Sequence, residues 1–148
     1  MLEELGLSLQ ALDCRRLHIL SGMRPASAAG DDGELEETFV TNLRYAAERL
    51  EREGVVALVE AISGRAKPGY WLSDAATAER IVRRVAHPNV RLQLDLFHAQ
   101  IVGGDLTRRI RDWTPIIGHV QIAQVRIFFI QNLVFCLHIL RVRYKCFL

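Results

Sequence analysis

The stretch Val90–Gln100, VRLQLDLFHAQ, decides the fold. In an extended chain successive side chains point to opposite faces, so Arg91, Gln93 and Asp95 share one face while Leu92, Leu94 and Leu96 share the other. A leucine face of this kind packs on helices, and the polar face then lines an interior shared with neighbouring strands. Asp95 and, three residues on, His98 stand at the carboxyl end of the run. We read the strand as Val90–Phe97.

Working outward, three further runs have the same character. VVALVEAI, residues 55–62, is apolar almost throughout, which suits a strand buried on both faces, and it carries Glu60 near its end. GHVQIAQV, residues 118–125, carries His119 and Gln121. The segment 16–20 within RRLHILSG supplies a first strand containing His18.

Between these runs the periodicity changes to that of a helix. From Glu34 to Glu53, apolar residues at Leu35, Phe39, Leu43, Ala46, Ala47 and Leu50 fall on one side, and Gly54 is suited to stop the helix. Ser73 is the expected N-cap of a second helix running to about Val85, with Asp74 in its first turn. Pro88 and Asn89 end that element, and Thr107–Trp113 forms a short helix before Pro115.

Strand and helix repeating at intervals of about 30 residues indicates βαβ units and a parallel sheet. The class is α/β. In such sheets and barrels, functional groups gather at the carboxyl ends of the strands, where Glu60, Asp95 and Gln121 are predicted to lie.

Bulk properties narrow the function. The 148 residues, half of them apolar, suit one domain with a substantial core. Nineteen basic and 17 acidic side chains leave a net charge of +2, giving no global field for nucleic acid or anionic lipid. The arginines at 83, 84, 108, 109 and 111 read as solvated helix faces. Cys14, Cys136 and Cys146 fit neither a disulfide framework nor a CxxC motif, so a reducing, cytoplasmic setting is expected. The start, MLEELGLSLQ, lacks the features of a secretory signal.

The apolar run Ile127–Leu140 is about 14 residues long, short of the roughly 20 that span a bilayer, and contains Gln131, Asn132 and His138. It is expected to be a sticky or interfacial tail, and no firm membrane span is indicated. The chain is accordingly divided into residues 1–125 and a divergent apolar and basic tail, 126–148.

Taken together, DLFHAQIVGGDLTRRIRDW (95–113), GHVQIAQV (118–125) and FVTNLRYAAERLEREG (39–54) preceding VEAI resemble the hydroxypyruvate isomerase family, within the xylose-isomerase-like TIM barrels. The resemblance covers about Arg16 to Val125. It implies a partial TIM barrel with about four parallel βα units and reversible conversion of hydroxypyruvate to 2-hydroxy-3-oxopropanoate, in glyoxylate metabolism. By the same resemblance, Glu60 is metal ligand and proton-transfer group, Asp95 and Gln121 are metal ligands, and His98 contacts the small hydroxy-carbonyl acid substrate. The implied cofactor is a divalent cation, Mg2+ or Mn2+.

Such a donor set suits the chemistry. Moving a carbonyl to the neighbouring carbon passes through an enediolate, whose charge a hard cation stabilises while a carboxylate handles the proton.

The chain also departs from the family. A complete barrel takes about 250 residues, and neither the Pro-Gly-Arg type loop nor the second glutamate expected after β-segment 118–125 is present. Ala61 and Ser63 stand where the family tends to have proline and asparagine. A truncated isoform with weak or absent turnover is therefore expected, its cation site short of one ligand and so open to losing the ion. The alternative is a non-catalytic interaction fragment that self-associates through open sheet edges. Abasic-site endonucleases of the same superfamily use a denser set of histidine and carboxylate ligands than this sequence offers, so no nucleic-acid partner is expected.

Overall fold

The computed structural model describes residues 9, 11–25 and 32–123. Along them run β1 (Arg16–His18), α1 (Asp32–Arg52), β2 (Val56–Glu60), α2 (Ala75–Val85), β3 (Val90–Asp95), α3 (Leu96–Val102), α4 (Leu106–Trp113) and β4 (Ile117–Gln121). The four strands are parallel and lie side by side in chain order. Parallel neighbours require a crossover between them, and α1, α2 and the α3–α4 pair supply it. The result is the four-stranded portion of a TIM-barrel wall.

The alternation expected for Val90–Asp95 is present. Leu92 and Leu94 join Ala57, Val59, Val90 and Val120 in one core with Val40, Leu43 and Ala47 of α1 and Ile81, Val82 and Val85 of α2. The opposite face carries His18 beside Leu58, Glu60 beside Gln93, Gln93 beside His119, and Asp95 beside Gln121. Leu58 is buried yet stands apart from the helix-facing cluster, as its parity requires.

The register of β3 against β4 slips once, from Leu92 opposite Ile117 to Gln93 opposite His119, which leaves Gly118 as the extra residue. This bulge puts His119 and Gln121 on the same face as Gln93 and Asp95. A Cβ at Gly118 would lie 2.5 Å from the Arg91 Cβ and 2.9 Å from Leu58 Cδ2, so the strand approach is closed to any larger residue.

The helices are tied at their ends and flanks. Gly54, at φ +65°, terminates α1. Arg44 of α1 donates to the carbonyl oxygens of Arg84 (2.8 Å) and Val85 (3.3 Å), among the last residues of α2. Glu36 of α1 is buried although ionisable, and accepts from Arg80 Nη1 at 2.5 and 2.6 Å and from Arg84 Nη1 at 3.0 Å. Burial would raise the Glu36 pKa, but the bonds from Arg80 and Arg84 outweigh it and hold the group below its ordinary value.

Asn89 fastens the turn before β3 to the neighbouring layer, donating through Nδ2 to the carbonyls of Val55 (2.7 Å) and Ala47 (3.3 Å). Substituting Asn89→Ala strips both carbonyls of that donor. The expected cost is about 1–2 kcal/mol, read as a fall in the urea midpoint.

Several boundaries differ from the sequence reading. The N-cap of α2 is Asp74, whose carboxylate accepts from the Thr77 backbone N–H at 2.8 Å, so Ser73 lies outside the helix. Strand β1 stops at His18 and β2 spans Val56–Glu60, shorter than read. Strand β3 ends at Asp95 because that carboxylate caps α3, which begins at once with Leu96 and Phe97. Strand β4 starts at Ile117 and ends at Gln121. The boundary at 125/126 and the apolar run Ile127–Leu140 lie outside the described residues. No helix among the described residues is long and apolar enough to cross a membrane.

Candidate active site

Glu60, Asp95 and Gln121 are each the last residue of three adjacent strands, β2, β3 and β4. Asp95 has two tasks. Its Oδ1 accepts from the backbone N–H of Phe97 (2.7 Å) and His98 (3.4 Å), which starts α3, while Oδ2 lies 3.9 Å from His98 Nε2. Because α3 begins immediately, His98 falls in its first turn and is carried back over the strand end. Glu60, Asp95 and His98 each bring one donor atom into a group whose members all lie within 4.8 Å of one another.

Ser63, almost fully buried, contacts His98 Nδ1 through Oγ at 3.2 Å and so fixes the imidazole. Gln93, also buried, donates through Nε2 to Glu60 Oε2 at 2.7 Å and to Gln121 Oε1 at 2.8 Å. Gln121 is itself exposed and enters the arrangement through this bond. His18 brings Nδ1 to 3.4 Å from Glu60 Oε2, while its Nε2 is buried without a hydrogen-bond partner among the described residues.

Electrostatics single out Glu60. Burial first, then the charge of Asp95, push its pKa up to about 7, and the bond from Gln93 offsets only part of this. Burial likewise lowers the pKa of His18, favouring the neutral imidazole. Glu60 therefore sits near the midpoint of its titration at neutral pH, the condition in which a carboxyl group both takes and returns a proton efficiently.

A stability consequence follows. The folded pKa of Glu60 lies above the ordinary value of 4.5, so below that value both states hold the proton and the group imposes no penalty. As pH rises toward 7 the unfolded chain releases the proton first and stability falls, by at most roughly 3 kcal/mol, less where solvent screens the group. In metal-free protein, the stability advantage of Glu60→Gln over the parent chain is expected to grow between pH 5 and 7.5. Equal pH slopes for the two proteins in urea titrations would contradict this.

The donor chemistry fits a hard divalent cation: two carboxylates and an imidazole within 4.8 Å, with an amide oxygen on the adjacent strand. The like charges of Glu60 and Asp95 repel across this group, a repulsion that a cation would relieve.

The mouth is walled by two loops fastened to each other. After β1, Gly22 accepts from the Trp71 N–H (3.1 Å) and Arg24 N–H donates to Gly69 (2.9 Å). The Ser21 N–H donates to Tyr70 Oη at 3.0 Å, and Leu72 N–H closes the loop after β2 on Ser21 Oγ at 3.3 Å. Gly69, at φ +79°, permits the turn. Trp71 stands edge-on to Phe39 of α1, with ring centroids 5.6 Å apart.

Strand order, the strand-end carboxylates and the paired rim loops define a metal-capable site on a TIM-barrel wall. Residues 8–131 match the family described as Xylose isomerase-like TIM barrel, and the chain belongs to that family. A Danio rerio relative named "Putative hydroxypyruvate isomerase" is 44% identical over 119 residues, covering 78% of this chain and 43% of its own length. The 2-oxo-tetronate isomerase of Pectobacterium atrosepticum is 39% identical over 116 residues, 78% of this chain and 43% of that protein. Among solved structures, the AP endonuclease, family 2, of Brucella melitensis superposes with a TM-score of 0.80 at 38% identity, covering 95% of this chain and 57% of that one. The chain spans somewhat under half the length of these two curated relatives.

Proposed function

We propose that this chain carries the Glu60 side of a metal-assisted isomerase site acting on a small hydroxy-carbonyl acid, with hydroxypyruvate and 2-hydroxy-3-oxopropanoate as the interconverted pair. The observation that carries the reading is the convergence of Glu60, Asp95 and His98 at adjacent strand ends with Glu60 held near neutrality. The names of the relatives support the reaction class, and the two different substrates in those names support a small oxygen-rich acid as the shared chemistry.

Glu60, Asp95 and Gln121 would hold Mg2+ or Mn2+, which supplies positive charge beside the substrate oxygens and so favours ionisation of the adjacent C–H bond. Glu60 removes a proton from the hydroxyl-bearing carbon, giving an enediolate; the hydroxyl proton passes to the neighbouring oxygen, and a proton returned to the former carbonyl carbon completes the shift. No net oxidation or reduction of the molecule occurs. His98, steadied by Ser63, offers a hydrogen bond to the substrate, and the rim loops after β1 and β2 limit access of water.

Proton removal can be followed separately from full conversion. Chain loaded with Mn2+ and incubated with hydroxypyruvate in D2O is expected to exchange the C3 hydrogens for deuterium, and Glu60→Gln to slow this roughly 10²- to 10⁴-fold. Exchange no faster in the parent chain than in Glu60→Gln would refute the assignment. A salt-dependent DNA affinity would favour a nucleic-acid role, the reading that the name of the Brucella structure raises. A discrete folded oligomer without exchange would favour the interaction fragment, self-associating through a sheet edge in a reducing, cytoplasmic setting.

A further inference from the structure

We propose that Gln93 is a positioning residue whose two amide hydrogens set which oxygens Glu60 and Gln121 present at the site; the role in cation binding rests on the donor set proposed above. Gln93 lies in the middle strand of the three, opposite Glu60 on one side and His119 on the other. Its Nε2 is 2.7 Å from Glu60 Oε2 and 2.8 Å from Gln121 Oε1, and the residue is buried.

The chemistry of the groups fixes the direction of each bond. Once Glu60 is ionised, as it must be to hold a cation, its carboxylate only accepts, so Gln93 turns its nitrogen and not its oxygen toward Glu60. That nitrogen has a second hydrogen, and a buried N–H left unmatched is costly. The amide of Gln121 therefore meets it with oxygen. The charge on β2 thus dictates the orientation of an amide on β4, two strands away, and an exposed side chain that would otherwise rotate in solvent is held with its carbonyl inward. Without Gln93, Gln121 is free to turn its NH2 toward the site, where it opposes a cation. The Glu60 Oε2 atom, bound by Gln93 and approached by His18 Nδ1, is in turn kept in one rotamer.

The test uses the full chain, with Mn2+ as the probe in a paramagnetic resonance titration and four proteins: parent, Gln93→Met, Gln121→Met and the double variant. Methionine keeps the volume of Gln93 and removes both donors. Gln93→Met is expected to weaken Mn2+ binding about tenfold, and to weaken it less than about threefold further once Gln121 is already methionine. Unchanged affinity in Gln93→Met, or the same tenfold loss in both backgrounds, overturns the proposal.

A second arm needs no folded variant at position 93. In 15N-labelled parent protein both side-chain amide protons of Gln93 are expected to exchange at least about tenfold more slowly than those of a free glutamine, and Gln121→Met to release one of them. Exchange of both at the free rate overturns the proposal. If the parent chain binds no Mn2+, the metal assignment of the preceding subsection fails, and the exchange arm decides on Gln93 by itself.

Discussion

Asp95→Asn is expected to weaken Mn2+ binding by more than about a hundredfold while leaving the urea midpoint nearly unchanged, because the two tasks of this side chain separate cleanly. Asparagine caps a helix about as well as aspartate, so the bonds to the Phe97 and His98 N–H groups survive. The negative charge on the Oδ2 side does not. Removing a ligand should cost more than the roughly 10- to 100-fold typical of losing a supporting partner. Asp95→Ala loses both functions and adds about 1 kcal/mol of destabilisation. Removing the Asp95 charge also relieves part of what raises Glu60, so the Glu60 pKa should move down in Asp95→Asn. Mn2+ affinity within a few-fold of the parent would exclude Asp95 from the donor set.

The second large effect is on folding. Gly118→Val is expected to destabilise the chain by roughly 3 kcal/mol or more, and Gly118→Ala by about 2–3 kcal/mol, seen in circular dichroism and urea titration. The new Cβ would meet the Arg91 Cβ at 2.5 Å and Leu58 Cδ2 at 2.9 Å. The leucine methyl can swing aside, but the Arg91 Cβ is fixed to its own strand. Adding Leu58→Ala to Gly118→Ala is therefore expected to recover little. A Gly118→Ala protein as stable as the parent would show that β3 and β4 do not approach this closely.

Much of this arrangement is visible in the residues themselves. The strict parity of Arg91, Gln93 and Asp95 against Leu92 and Leu94 announces a sheet with one polar and one helix-covered face, and both faces are found as read. The apolar spacing of α1 is equally direct. The end of β3 was harder to read, since LDLFHAQ continues the apolar run without a break. What stops the strand is a hydrogen bond from backbone to the Asp95 carboxylate, an event that hydrophobic pattern does not encode. The same holds for Ser73 against Asp74, adjacent residues that are both good caps.

The sequence marks Ser63 only as a departure from the family pattern; its contact with His98 is not legible there, because it joins residues 35 positions apart. Parity places Gln93 on the right face, but of its two hydrogen bonds the one to Gln121 depends on the slip of register at Gly118. A glycine inside a strand does hint at a bulge or a close approach, and that hint was available.

The two walls of the mouth are held together partly by peptide groups, Trp71 to Gly22 and Arg24 to Gly69, and partly through the side chains of Ser21 and Tyr70. The peptide attachments are indifferent to what the side chains are. Apart from Ser21, Gly69 and Tyr70, residues along this lip can therefore be exchanged, altering size, charge or hydrogen-bonding habit, while the lip keeps its shape. Drift in what the mouth admits should be inexpensive here, whereas the strand termini beneath tolerate almost none.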